Sequence, residues 1–279
     1  MERAIISFPS LGIEIDPPTG FSLFGLDLRF YGLIIAVGFA LAVLYCARRA
    51  KEFGLAEDNV YDVIIWALPI GVIGARAYYI IFNYSEFAGH PERFIQIWNG
   101  GLAIYGGIIA GVLTAVTVCK VKRIRIPAFL DLGCFGLFIG QLCGRWGNFF
   151  NREAFGSETG SFLRMGLTTS AGTVYVHPTF LYESVWNLVG FLALHVWTKK
   201  GKRDFDGQVF LLYVLWYGLG RAWIEGLRTD SLYLWGTGLR VSQVLAILSA
   251  IAAAVLLGVL THRARMQKNP GTDPATNIE

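Results

Sequence analysis

Charged residues are scarce in this chain. They account for 16% of its 279 residues, whereas 54% are hydrophobic. Soluble domains are nearer a quarter charged, so this composition excludes an ordinary water-soluble globular protein. Several apolar runs approach the length of about 20 residues that a helix needs to cross a bilayer. The composition therefore predicts an all-α polytopic membrane protein with a single transmembrane domain.

Cysteine is also rare, and its spacing excludes a disulfide framework and a thiolate metal site. The four cysteines lie within or at the ends of apolar runs, which favours small buried apolar side chains. Zinc motifs, a serine elbow and nucleotide-binding loops are missing from the sequence as well. We therefore expect no metal, no cofactor and no nucleic acid partner. The opening residues contain acids and prolines and do not form the apolar core of a signal peptide.

Seven apolar segments remain, and we predict a transmembrane helix in each. Basic clusters follow the first, third, fifth and seventh segments. The positive-inside rule places these connections in the cytoplasm, so the N-terminus lies outside and the C-terminus inside. The predicted domain covers 1–267, and the polar tail 268–279 is expected to be disordered. The predicted spans are 28–47, 59–83, 103–119, 127–146, 178–198, 208–227 and 239–261.

Two of the connections on the predicted outer side are long. They cover 84–102 and 147–177. The second includes the sequence TVYV, which alternates as a strand does. We expect 147–177 to form a small extracytoplasmic cap with short strands.

The most unusual stretch is Gly144–Gly156, which reads GRWGNFFNREAFG and directly follows an apolar run. Polar groups are costly beside hydrocarbon, so a dense set at the end of a span indicates a functional site. A polar loop that caps a helix would explain Arg152 and Glu153. It explains Arg145 and Asn148 less well, because they lie closer to the bilayer.

Polar residues of several spans reach the same depth. The rise of a helix puts Arg76, Arg145 and Arg221 about 20–27 Å from the cytoplasmic ends of their spans. The other spans run in the opposite direction and begin near this outer level. Four further residues are expected at or near the same level: Tyr31, Tyr105, His177 and Glu225.

The sixth span predicts an anion-binding pocket. Arg221, Glu225 and Arg228 lie on one helix face, where Arg221 and Glu225 can pair. This pairing leaves Arg76, Arg145 and Arg228 with no acid nearby in sequence. Each unpaired arginine would cost about 2.5–3.5 kcal/mol at the membrane centre. We therefore expect a surplus of positive charge that binds a lipid phosphate, which the planar guanidinium fork suits.

These motifs resemble those of the prolipoprotein diacylglyceryl transferase family. Beside GRWGNFFNREAFG, the family order is kept by FYGLIIAVGF, GARAYYIIF, GGLAIYGGIIAG, HPTFLYES and YGLGRAWIEGLR. The resemblance implies seven spans with an outer N-terminus in the bacterial inner (cytoplasmic) membrane. It also implies transfer of the diacylglyceryl group of phosphatidylglycerol to the lipobox cysteine of a preprolipoprotein signal peptide. A thioether forms, and glycerol phosphate leaves.

The resemblance and the depth argument together define the expected site. The predicted catalytic residues are Arg145, Arg221, Glu225, Tyr105 and His177. The residues predicted to bind the phosphatidylglycerol headgroup are Tyr31, Arg76, Asn148, Asn151, Glu153, Gly156 and Arg228. Some family members carry a histidine, proposed as the base, where this chain has Tyr105. The general base therefore stays open between Tyr105, His177 and Glu225.

Two other function classes fit intramembrane arginines. A transporter or channel for a phosphorylated solute is one, but it should line a route to the inner face, where these spans are mostly apolar. A protein that binds anionic lipid without chemistry is the other. Release of glycerol phosphate in the presence of a lipobox peptide would separate the transferase from both.

Overall fold

The computed structural model describes residues 4–23, 25–234 and 237–268. Eight α-helices occur in these ranges, and seven of them match the seven predicted spans. The expected disordered tail lies outside the described residues, except for Lys268. The helices are α1 (Phe30–Arg49), α2 (Glu57–Phe82), the short α3 (Tyr84–Phe87), α4 (Ile104–Val121), α5 (Ile126–Asn151), α6 (Thr179–Lys199), α7 (Gln208–Ile224) and α8 (Val241–Lys268).

Five of these helical segments are long and apolar enough to cross a membrane, which supports a multi-pass membrane protein. They are Phe30–Phe53, Glu57–Phe82, Ile104–Val121, Ile126–Asn151 and Val241–Lys268. Helices α6 and α7 do not combine the length and the apolar character of these five segments. Helix α7 has 17 residues, and α6 carries Glu183, Ser184 and Asn187 in its first half. Glu183 of α6 and Arg221 of α7 belong to the site described below.

The described residues are 68% helical, but the fold is not all-α, because they also form two small antiparallel sheets. The strands are β1 (Ile5–Phe8), β2 (Ile13–Ile15), β3 (Gly20–Leu23), β4 (Leu26–Arg29), β5 (Met165–Thr169) and β6 (Gly172–Val176). One sheet has the strand order β2-β1-β5-β6, and the other is a β3-β4 pair. The strand predicted at TVYV is confirmed as part of β6, whereas the N-terminal strands were not anticipated.

The chain divides into two compact units. Unit 1 contains Met1–Ala42 and Gly133–Glu279, and unit 2 contains Val43–Leu132. In unit 1, Ile6 of β1, Met165 of β5 and Val176 of β6 pack against Phe149 of α5 and Phe180 of α6. Burial of these apolar side chains attaches the four-stranded sheet to the end of α5 and the start of α6. The end of α5 carries part of Gly144–Gly156, which we call the signature stretch.

A pair of tryptophans aligns α6 with α7. The rings of Trp186 and Trp216 stack with centroids 4.4 Å apart. Each indole N–H donates to the backbone oxygen of the other tryptophan, at 2.9 and 3.0 Å. Gly190 and Gly220 leave room for these rings, which a Cβ at either position would meet. Two satisfied indole donors and one aromatic stack therefore fix the level of α6 relative to α7.

Candidate functional site

One buried carboxylate joins the arginines of three segments. Glu183, on the second turn of α6, lies with Oε2 3.0 Å from Nε of Arg145 on α5. Its Oε1 lies 3.4 Å from Nη1 of Arg221 on α7 and 3.4 Å from Nη1 of Arg228. The Glu183 side chain is only 6% exposed. Both oxygens of one carboxylate thus hold three guanidinium groups together as ion pairs.

Two further carboxylates complete this ion-pair cluster of Arg145, Glu183, Arg221, Glu225, Arg228 and Asp230. Oε2 of the buried Glu225 lies 2.5 Å from Nη2 of Arg221, as the helical spacing predicted. Arg228 donates from Nε and Nη2 to Asp230, at 2.9 and 2.7 Å. These hydrogen bonds from Arg228 hold the pKa of Asp230 below its ordinary value.

The expectation that Arg145 and Arg228 lack acid partners is therefore wrong. Three guanidinium groups face three carboxylates, so this cluster has no surplus of positive charge. Glu183 is the central residue of the cluster that the sequence analysis did not include in the site, although it lies in the HPTFLYES motif. Its position in the second turn of α6, beside the predicted site residue His177, was the available signal.

The signature stretch is mostly helical. Helix α5 continues past its predicted end at 146 to Asn151, so Arg145, Asn148 and Asn151 lie on one helix. Nη1 of Arg145 donates to Oδ1 of Asn148 at 3.2 Å. The side-chain amides of Asn148 and Asn151 both donate to Oε1 of Glu153, at 2.9 and 3.2 Å. A continuous set of hydrogen bonds therefore leads from the ion-pair cluster to the end of the signature.

Gly156 brings the end of the signature beside His177 and Arg228. Its N–H donates to the backbone oxygen of His177 at 2.9 Å, and it forms a β-bridge with Arg228. A Cβ at Gly156 would lie 2.7 Å from Cβ of His177 and 2.9 Å from the oxygen of Leu227. Only glycine permits this close approach.

The side chains of His177 and Tyr31 also lie in unit 1. Nδ1 of His177 is 3.3 Å from the hydroxyl of Tyr182. Tyr31, near the start of α1, packs on Gly147 of α5, where a Cβ would lie 2.7 Å from its ring. Both predicted residues are therefore connected to the elements that carry the cluster.

Arg76, in unit 2, uses its guanidinium on the backbone. Nε donates to the oxygen of Phe94 at 3.0 Å, and Nη1 donates to Gly100 and Gly101 at 2.8 and 2.9 Å. Nη2 donates to the oxygens of Arg93 and Gln96. The residue is 8% exposed. This arrangement holds the segment before α4, and headgroup binding by Arg76 stays a prediction.

The GGL motif explains how Arg76 reaches these carbonyls. Gly100 and Gly101 have φ of 86° and 76°, which glycine adopts without strain. A Cβ on Gly101 would collide with Nη1 of Arg76 and lie 2.9 Å from Cε1 of Tyr79. Tyr105 follows on the first turn of α4 and is 57% exposed. Its role as a base stays a prediction.

Comparison with known proteins assigns the chain to a family. The family model described as prolipoprotein diacylglyceryl transferase matches residues 18–259. The chain belongs to this family. It is similar to a protein of Finegoldia magna named phosphatidylglycerol–prolipoprotein diacylglyceryl transferase, with 43% identity over 85% of this chain and 92% of the relative.

Streptococcal proteins with the same name give similar values. The protein of Streptococcus equi subsp. zooepidemicus strain MGCS10565 is 41% identical over 86% of this chain and 93% of its own length. That of Streptococcus pyogenes serotype M1 is 40% identical over 83% and 90%. The family match extends from before Tyr31 to beyond Arg228, so it includes every predicted site residue and Glu183.

The cluster's chemistry suits a diacylglyceryl transferase. The side chain of Arg145 is 23% exposed and that of Arg221 is 16% exposed, so neither is fully enclosed by protein. A phosphate can accept from the same N–H groups that now face Glu183. The hydrogen bond from Arg145 to Asn148 and the ion pair of Arg221 with Glu225 do not involve Glu183, so they would keep the arginines oriented if a phosphate took the place of that carboxylate.

Proposed function

We propose that this chain transfers the diacylglyceryl group of phosphatidylglycerol to a prolipoprotein. The family match and the printed names of the relatives support this reaction. The structure adds a buried carboxylate that gathers Arg145, Arg221 and Arg228, which is the observation that carries the proposal. The acceptor is the thiol of a lipobox cysteine in the signal peptide.

The reaction exchanges one bond to carbon. The cysteine sulfur attacks the terminal carbon of the diacylglyceryl group, a carbon–sulfur bond forms, and the carbon–oxygen bond to phosphate breaks. Glycerol phosphate leaves with the electron pair, and the thiol proton goes to a base. A free thiol has a pKa of about 8.5 and is only a few per cent thiolate at pH 7. Nearby guanidinium groups favour the thiolate.

Arg145 and Arg221 stabilise the charge that develops on the departing phosphate. They come from different helices and are already positioned, so little reorganisation is needed during the reaction. Glu225 orients Arg221 through their ion pair. Glu183 acts as the internal anion that keeps the guanidinium groups together until a phosphate arrives. Seven further residues are proposed to position the headgroup: Tyr31, Asn148, Asn151, Glu153, Gly156, Arg228 and Arg76.

Three residues are candidates for the general base. His177 is hydrogen-bonded to Tyr182, Glu225 is buried against Arg221, and Tyr105 is exposed in unit 2. Tyr105→Phe removes only a hydroxyl. Full transfer activity in this variant would exclude Tyr105, whereas a loss of about 10²-fold or more fits a role in proton transfer.

The proposed topology has seven spans, with the N-terminus outside the bacterial inner membrane and the C-terminus in the cytoplasm. The five apolar helices support it, and α6 and α7 add the two spans that carry the cluster. The strands and the end of α5 then form an outer cap. Labelling of single cysteines introduced at Lys51 and Ser170 with a membrane-impermeant reagent tests this orientation. Only the cysteine at 170 should react in intact cells.

One assay tests the proposed function. Purified protein, phosphatidylglycerol and a lipobox peptide should yield a thioether-linked peptide and an equal amount of glycerol phosphate. The matched control is a peptide with serine in place of the lipobox cysteine, which has no thiol and should yield neither product. Lipid binding without release would instead indicate an assembly protein, and solute flux without release would indicate a transporter.

A further inference from the structure

The turn after α5 has an unusual backbone. Arg152 and Ala154, on either side of Glu153, have φ of 55° and 56°. Non-glycine residues in this left-handed region are strained and persist only where surrounding contacts hold them. The backbone conformation of this turn is therefore maintained by contacts with the surrounding structure and not by its own local stability.

Contacts on both sides of the turn hold it. The buried side chain of Arg152 donates to the backbone oxygens of Ala4 and Pro17, at 2.6 and 2.7 Å, and to Oδ1 of Asp16 at 2.7 Å. The Thr179 hydroxyl donates to the backbone oxygen of Ala154 at 2.5 Å. All these partners belong to unit 1.

This turn presents a carboxylate with one occupied oxygen and one open oxygen. Oε1 of Glu153 accepts from Asn148 and Asn151, at 2.9 and 3.2 Å. Its other oxygen, Oε2, has no partner among the residues that the structure describes, and the residue is exposed. The asparagine amides fix the direction of the carboxylate, so Oε2 is a preset acceptor.

The open oxygen lies one side chain away from the proposed phosphate site. Asn148 accepts from Arg145 with its Oδ1 and donates to Glu153 with its Nδ2. One side-chain amide thus separates Arg145 from Glu153, which brings the headgroup glycerol of a phosphate bound to Arg145 near the Glu153 carboxylate. The two hydroxyls of the headgroup glycerol can donate hydrogen bonds, whereas the oxygens of a phosphate diester can only accept them.

We propose that Oε2 of Glu153 accepts hydrogen bonds from the headgroup hydroxyls of phosphatidylglycerol and so contributes to lipid selectivity. This inference rests on the proposed function. A site that hydrogen-bonds a substrate hydroxyl discriminates strongly against an analogue that lacks it, because its polar group is then left unpaired. Hydrogen bonds to a charged group contribute about 10- to 100-fold to discrimination. Because Glu153 is exposed, we expect a preference for phosphatidylglycerol of this size and not a larger one.

The test compares phosphatidylglycerol with phosphatidylpropanol, which has the same phosphate and acyl chains but no headgroup hydroxyl. The transfer kcat/KM is measured for wild type, Glu153→Ala and Glu153→Gln with each lipid. Wild type should prefer phosphatidylglycerol by about 10- to 100-fold. Glu153→Ala should lose most of this preference through a slower reaction with phosphatidylglycerol, and Glu153→Gln should keep part of it. Glu158→Gln, an exposed glutamate of the cap, is the matched control and should keep all of it.

Several results would overturn the inference. Equal losses with both lipids in Glu153→Ala would mean that Glu153 supports the turn without contacting the hydroxyls. An ammonium headgroup also fits a carboxylate, so faster transfer from phosphatidylethanolamine than from phosphatidylglycerol would remove the assignment to hydroxyls. If Glu153→Ala does not fold, the preference of Glu153→Gln for phosphatidylglycerol over phosphatidylpropanol tests the inference instead, and an unchanged preference would overturn it. Wild type that transfers from no lipid overturns the proposed function and this inference together, whereas transfer without lipid preference overturns this inference alone.

Discussion

Replacing Glu183 by glutamine tests whether one carboxylate organises the cluster. The change keeps the volume of the side chain and removes its charge, so Arg145, Arg221 and Arg228 lose their shared anion. Removing one partner of a buried ion pair costs about 3–5 kcal/mol, because the remaining charge is left uncompensated. We expect a loss near the lower end of this range, since Arg221 and Arg228 keep Glu225 and Asp230.

The measurement is unfolding of the purified protein in detergent, monitored by tryptophan fluorescence. The matched control is Asp230→Asn, which removes a carboxylate from Arg228 at a position that is 51% exposed. An exposed pair contributes about 0–1 kcal/mol, so this variant should remain close to wild type. Equal stability of Glu183→Gln and Asp230→Asn would refute the central role of Glu183.

Lipid addition separates a structural role from the proposed exchange of carboxylate for phosphate. A ligand that binds only the folded state raises its stability. Phosphatidylglycerol should therefore raise the unfolding temperature of Glu183→Gln more than that of wild type. Diacylglycerol, which lacks the phosphate, should raise neither. An equal shift with both lipids would mean that acyl chains, not the phosphate, provide the stabilisation.

The remaining predictions concern the arginines, the GGL motif and acid stability. Arg145→Ala should reduce transfer by about 10²–10³-fold while the protein remains in the membrane, because a preorganised donor to the phosphate is lost; near-normal lipoprotein modification would remove Arg145 from the mechanism. Gly101→Ala should lower the unfolding temperature more than Gly89→Ala, since both have positive φ but only Gly101 is crowded; equal shifts would contradict the clamp by Arg76. The pKa of Asp230 is lowered, so its stabilisation is present above its unfolded value of about 3.9 and is lost as the pH falls through its lower folded value. Denaturant titrations should show wild type slightly more stable than Asp230→Asn at pH 6, and this difference in stability should shrink as the pH falls below about 3.9; a constant difference would contradict the linkage.

The helices were predictable because apolar length and charge placement are local properties of the chain. Seven segments, such as 208–227, matched helices, although α5 and α8 continue five and seven residues beyond their predicted ends. The pairing of Arg221 with Glu225 was predictable for the same reason, since both lie on one helix face. The place of β1 in the four-stranded sheet was not, because its partner β5 lies far along the chain.

The partner of Arg145 could not be derived in this way. Arg145 and Glu183 lie on different helices, and no periodicity links them. Their approach depends on the level at which α6 meets its neighbours, which the interlocked Trp186 and Trp216 set relative to α7. Gly190 allows α6 to contact both α5 and α7 closely.

The sequence by itself determined the membrane character, the helical segments and the family, because each depends on composition, short-range spacing or motif order. The tertiary structure decided which charges meet. It gave Arg145 a carboxylate from another helix and joined it with Arg221 and Arg228 in a balanced cluster around Glu183. The physical reason is that a buried charge must be paired, whereas the identity of its partner depends on how separate helices pack.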